Sequence, residues 1–231
     1  AGAGSRRAME AAIRDGRVRV DGAVVQAMGT QVDPATTQVT LDGIPIVRST
    51  EDRLVIVVHK PVGVVTTAHD PEGRETVLDL LPDHLREIRL YPVGRLDLMS
   101  EGLVLLTNDG DLANQLMHPS FGHEREYEVE VRGDLPRGLP QHFSRGVAIG
   151  DARPARAEVR DINPTPGGVS LRLILREGRN HQIRRMFDSY GLAVRRLRRI
   201  RVATVCLGEL PAGRIRVLTS VERTELAQQL N

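Results

Sequence analysis

The run from Tyr91 to Gly110 constrains this chain most: Tyr-Pro-Val-Gly-Arg-Leu-Asp-Leu-Met-Ser-Glu-Gly-Leu-Val-Leu-Leu-Thr-Asn-Asp-Gly. Leu103 to Leu106 make an apolar stretch of strand length, and Asn108, Asp109 and Gly110 close it with a turn and a helix cap. That reads as a core strand. Just ahead of it Asp97 sits between Leu96 and Leu98, and a half-buried carboxylate needs a hydrogen bond or a cation to stay ionised. Asp97 is therefore a candidate reactive acid on a loop entering the core. A Gly-Arg-Leu-Asp tetrapeptide alone is equally a surface ion pair, so the assignment needs the rest of the chain.

Taken in order, Ser5 predicts a capped helix through Asp15, ended by Gly16. Arg17 to Val20, a turn at Asp21-Gly22 and Val24-Val25 predict a hairpin, with Val39 to Leu41 and Ile44 to Ile46 completing a small domain over residues 1–47. Arg6, Arg7, Arg14, Arg17 and Arg19 crowd this unit. Residues 48–53 read as a polar linker. From 54 on, Leu54 to Val58 is a continuous apolar strand ending in His59-Lys60-Pro61-Val62-Gly63, and Thr76 to Leu81 predicts a short helix before Pro82. Asp109 to Met117 is a helix, Glu126 to Arg132 alternates with Tyr127, Val129 and Val131 on one face, and Ala157 to Ile162 and Val169 to Leu175 are strands. Ile183, Met186 and Phe187 recur at helical spacing, Val194 to Val205 is a basic strand, and Ser220 caps a last helix to Leu230.

Charge narrows the partner. Residues 172 to 201 hold ten arginines against Glu177 and Asp188, a local +8 in a chain of net charge +2. Such a stripe is an electrostatic footprint for phosphates. Six aromatics and no Trp argue against a stacking-sheet RNA binder. One cysteine, Cys206, excludes a disulfide framework or cysteine-rich zinc site within the chain. His118, His123 and Glu124 lack a further ligand at helical spacing, so no metal is expected, and the glycine-rich phosphate loops of nucleotide cofactors are missing. No apolar run approaches the ~20 residues that span a bilayer, so a soluble cytoplasmic protein is expected, and it is expected to act as a monomer. The missing initial Met suggests a truncated N-terminus.

The block around Asp97 closely resembles the catalytic motif of the pseudouridine synthases, in the branch that modifies ribosomal RNA (the RsuA/RluB type). Asp70-Pro71-Glu72-Gly73-Arg74 and Leu116-Met117-His118-Pro119 look most like its large-subunit members. Gly4-Ser5-Arg6-Arg7, Gly16-Arg17-Val18 and Val20-Asp21-Gly22 resemble the small RNA-binding domain shared with ribosomal protein S-four, here truncated at its start and with Asp21 at a customary Asn. The resemblance implies an α+β catalytic domain over 54–231 whose mostly antiparallel mixed sheet is split by a cleft, with Asp97 at the floor and the arginines along the rim. It also implies roles. Asp97 acts on the flipped uridine, Tyr127 lies against the base, Arg184 pairs with Asp97, Lys60 and Ile183 support the site, and Arg95 enters the space the base vacates. Arg6, Arg7, Arg17, Arg179, Arg196, Arg198 and Arg199 are expected on RNA.

Pseudouridine formation detaches uracil from its sugar, rotates it and rejoins it through carbon. A carboxylate serves the electron-poor sugar carbon without metal or cofactor, and base flipping out of a structured stem-loop costs a few kcal/mol of unstacking. Two rivals stay in view. A two-carboxylate glycoside hydrolase needs a second acid, for which Glu101 is the candidate. A ribosome-assembly protein that only binds RNA uses the same arginines but gives Asp97, Tyr127 and Arg184 no shared task, and small-subunit RNA is the alternative target.

Overall fold

A computed structural model describes residues 3–33, 35–46 and 53–230, and the chain divides into two compact units, residues 1–52 and 53–231. In the first, Ser5 Oγ accepts the Ala8 amide and starts α1 (Arg6–Arg14). Four short strands follow: β1 (Val18–Val20), β2 (Ala23–Val24), β3 (Val39–Leu41) and β4 (Ile44–Pro45), in the antiparallel order β2-β1-β3-β4. Its core is thin, with Ala12 and Val18 the buried apolar side chains among the described residues. The expected linker falls almost wholly outside the described residues.

The second unit is built on one long sheet. β5 (Val55–Lys60) is buried at every position, as its unbroken apolar sequence requires. The expected helix over 76–81 is a set of turns instead. The Asp79 and Leu81 amides bond back to Thr76 O and Leu78 O as single turns, the Val77 amide goes to Val65 O on a neighbouring segment, and Pro82 has no N–H to continue the series, so the helix α2 (Asp83–Arg86) begins only after it. β6 (Tyr91–Val93) leads to β7 (Glu101–Thr107), and Asp109 caps α3 (Gly110–Met117) by accepting the Asp111 and Leu112 amides. β8 (Arg125–Arg132), α4 (Leu139–Arg145), β9 (Glu158–Thr165) and β10 (Gly168–Leu175) come next. α5 (Gln182–Asp188), β11 (Val194–Val202), β12 (Val205–Cys206), β13 (Ile215–Val217) and α6 (Ser220–Leu230) complete it. Sequence patterning left α4 unread.

The strand order is β13-β5-β7-β11-β8-β10-β9, with β6 on β7 and β12 on β11. Every pairing is antiparallel except β7 with β11, and that parallel pairing spans two register pairs, Arg198 with Glu101 and Arg199 with Gly102. By contrast β5 meets β7 over six pairs and β11 meets β8 over seven. The sheet is thus two antiparallel halves joined by a narrow seam. Each half has its own packing: Val129, Leu171, Leu173, Phe143 and Phe187 on one side of the seam, Val57, Leu103, Leu105 and Leu116 on the other. The Asp97 loop enters β7 at this seam. This mixed, antiparallel-dominated α+β architecture agrees with the expected fold class of the catalytic part.

Candidate active site

The loop Arg95–Met99 shows how the site is set. Leu96 is buried while Arg95 is exposed and Asp97 half-exposed, so Arg95 and Asp97 share a face as period-two alternation dictates. Every carbonyl of the five residues accepts a hydrogen bond. Arg199 Nη1 donates to Arg95 O at 3.2 Å, Thr66 Oγ1 to Leu96 O at 2.8 Å, and the Ser100 amide to Asp97 O at 3.0 Å. The Gly63 amide at 2.9 Å and Lys60 Nζ at 3.3 Å both reach Leu98 O, and Arg184 Nη2 reaches Met99 O at 2.8 Å. Three cations therefore act on the loop through its backbone. The Asp97 carboxylate stays available: it makes no ion pair with an arginine or lysine among the described residues, and the His181 ring lies beside it, with Nε2 3.7 Å from Oδ1.

Arg184 is a correction: it does not pair with Asp97. Its guanidinium donates to Met99 O and to Val194 O at 3.1 Å, bridging α5, the loop and the start of β11. The half-exposed side chain needs no counter-ion, because carbonyls satisfy a guanidinium's donors. Arg199 is the second correction. Only 3% exposed, it is buried at the seam with Nε on Leu103 O at 2.7 Å, and it holds the loop from within rather than standing on an exposed rim.

Asp97 opens onto a cavity of about 490 Å³ that Arg95, Tyr127, Ile183 and Arg199 also line. Tyr127 is half-buried on β8, opposite Arg199 in register, and Ile183 is buried at the start of α5. The cavity thus brings Asp97, Tyr127, Arg95 and Ile183 together and leaves Arg184 behind the loop. It also holds residues that sequence reading passed over. Arg125, two residues before Tyr127 and so on its face, donates to Leu116 O at 3.1 Å and His123 O at 3.4 Å, and burial pushes its guanidinium below its ordinary range. Strand parity with Tyr127 was the available signal. His181, also in the cavity, lay inside a quoted motif, whereas nothing local singles out Thr66, which holds the loop from outside the cavity.

Lys60, the single lysine beside 31 arginines, is fully buried, with Nζ on Pro61 O at 2.8 Å as well as Leu98 O. Burial lowers its pKa from 10.5 to about 8, against the pull of Asp97. Below pH 8 folded and unfolded chains both carry the ammonium. Between about 8 and 10.5 only the unfolded chain binds that proton, so stability rises with pH through this window, by about 3 kcal/mol in all. Denaturant unfolding of wild type against Lys60→Met should show that rise as a pH-dependent difference between them. A difference flat from pH 7.5 to 10.5 would mean that Lys60 is not desolvated.

The arginine stripe is not left unbalanced by the fold. β8 and the residue ahead of it lie beside β11 and bring acids to it: Arg198 pairs with Glu128, Arg201 with Glu124 and Glu126, and Arg196 with Glu130 and with Glu101 of β7. Arg176 meets Glu124, and Arg179 is held by Glu177, Asp151 and the Arg153 and Pro154 carbonyls. A linear count of charge misses partners that arrive from another strand. In the first unit Arg6 pairs with Glu10 and Arg17 with Asp42, while Arg7 is exposed with no ion pair among the described residues.

Residues 54–189 match the family model described as RNA pseudouridylate synthase. The chain belongs to that family. A crystallised pseudouridylate synthase shares the fold with a TM-score of 0.70 at 26% identity, over 96% of this chain and 94% of the other. Ribosomal large subunit pseudouridine synthase B of Pseudomonas aeruginosa is 41% identical over 99% of this chain, which spans 60% of that relative's length. The protein of that name from Bacillus subtilis is 37% identical over 96% of this chain and 90% of its own length. The hydrolase reading loses its second acid in this geometry, because Glu101 is bound by Arg196 and does not line the cavity.

Proposed function

We propose that this chain converts uridine to pseudouridine in ribosomal RNA, in the large subunit as the names of its relatives suggest. The observation that carries this is the Asp97 loop: all its carbonyls are held, so the carboxylate is preorganised at the cavity without being neutralised by a salt bridge to arginine. Preorganised charge is what a reaction at an electron-poor sugar carbon requires. The N1–C1′ bond breaks, uracil turns, the C5–C1′ bond forms, and the C5 proton leaves as N1 regains one, so no redox partner is needed. Tyr127 bounds the base from β8. Arg95, exposed on the Asp97 side, enters the gap in the stack, where a planar guanidinium offsets part of the lost stacking.

RNA phosphates follow the arginines that the protein leaves unpaired. Arg153 and Arg156 are exposed, have no ion pair among the described residues, and line a groove of about 900 Å³ that shares Gly122, Arg176, Glu177 and Arg179 with the catalytic cavity. The first unit, with Arg7 exposed on α1, adds affinity as a small RNA-binding domain of the ribosomal protein S-four type, and the whole acts as a monomer in the cytoplasm. Mapping of pseudouridines in ribosomal RNA from cells with and without the gene tests the reading. One or more large-subunit uridines should lose modification in its absence; an unaltered map would refute it.

A further inference from the structure

Three phenylalanines occur in the chain, and two of them, Phe143 and Phe187, are completely buried. The third, Phe121, is 49% exposed at the end of the short 3-10 turn Pro119–Phe121. It is not simply stranded on the surface. Its ring stacks on the buried His123 at a centroid distance of 6 Å (5.9 Å, interplanar angle 11°), and His118 meets it edge-on at 6.0 Å and 75°. The His118 ring is fixed in turn by its Nδ1 contact with Ser120 Oγ at 2.7 Å. His118, Gly122 and His123, the residues flanking Phe121, all line the cavity that holds Asp97. One face of the ring is therefore backed by the protein, and the ring's surroundings border the reactive carboxylate.

Apolar exposure recurs at the same cavity: Met117, also a cavity residue, is 43% exposed. Phosphates would gain nothing from such a rim, whereas nucleobases present flat apolar faces that stack on aromatic rings. The neighbouring arginines provide for the backbone between those bases.

We infer that Phe121 seats a nucleobase adjacent in sequence to the target uridine, unstacked from its RNA neighbours and laid on the exposed face of the ring. This rests on the RNA-modifying reading above, and it adds that the RNA enters as an opened loop with two bases displaced, one into the cavity and one onto its rim. Stacking of this kind is tolerant of base identity, so Phe121 contributes affinity and register more than sequence choice.

The test uses the full chain and uridine-bearing hairpins cut from large-subunit ribosomal RNA, with 2-aminopurine placed one or two nucleotides either side of each candidate uridine and pseudouridine formation assayed in parallel. Wild type should quench the label at one flanking position. Phe121→Ala should abolish that quenching and weaken binding by about 5- to 150-fold, the range of one lost base stack. Phe121→Trp should keep both, and Phe121→Leu, apolar but not aromatic, should resemble Phe121→Ala. Thermal unfolding of each variant at the wild-type temperature would exclude a folding defect. Conversion of uridine with quenching and affinity indifferent to Phe121 overturns the inference and leaves the enzyme reading standing. Phe121-dependent quenching without conversion would do the reverse. A change in oligomeric state in Phe121→Ala, with RNA binding intact, would overturn it in favour of a protein contact.

Discussion

Asp97→Asn should lose pseudouridine formation by at least about four orders of magnitude, the scale seen when a nucleophile is removed from an otherwise intact site, while RNA binding persists. The substitution is nearly isosteric, and the loop is held by its carbonyls rather than by the Asp97 side chain, so Arg199, Thr66, Lys60 and Arg184 keep their partners. Loss of turnover would then report the charge and not a collapsed loop. Single-turnover assays on hairpin RNA, with filter binding alongside, decide it. Measurable product from Asp97→Asn would remove Asp97 from the chemistry.

Gly102→Ala should damage the catalytic unit severely for the sake of one methyl. Gly102 has φ +111°, and a Cβ there would lie 2.2 Å from Arg199 O, 2.6 Å from Arg199 N and 2.9 Å from Arg199 C. Those are backbone atoms of β11, so no side chain can turn away. The only relief is to part β7 from β11, at the two pairs that join the halves of the sheet, releasing the arginine that holds Arg95 O. A loss of about 4 kcal/mol or more, or no folded protein, is expected. Gly178→Ala is the control: it has open space, no positive φ, and should unfold within about 1 kcal/mol of wild type. Equal urea midpoints for the two variants would disprove the close approach.

What was legible in the chain was local or periodic. Ser5 and Asp109 announce helix starts because a side-chain oxygen next to free amides is a short-range signal. The alternation of β8 and the shared face of Arg95 and Asp97 follow from strand geometry alone. What was illegible came from contacts far apart in sequence. The glutamates of β8 neutralise arginines of β11 only because the two strands lie side by side, some 70 residues apart. Arg184 looked like a partner for an acid and instead found a carbonyl 85 residues away, since charge in a sequence names a donor but not its acceptor. Thr76 to Leu81 looked helical because its composition allows it, and the segment stops at isolated turns because the Val77 amide is taken by Val65 O and Pro82 has no N–H to extend them.

The solitary lysine has a practical consequence. Because Lys60 is the chain's one side-chain amine and is sealed beneath the Asp97 loop, an acylating reagent added to the folded protein finds no ε-amine until that loop lifts. The rate at which Lys60 takes up such a label, followed by mass spectrometry, is thus a clock for opening of this one place in the molecule. With RNA bound, the clock should slow, and no reporter has to be engineered into the chain to read it.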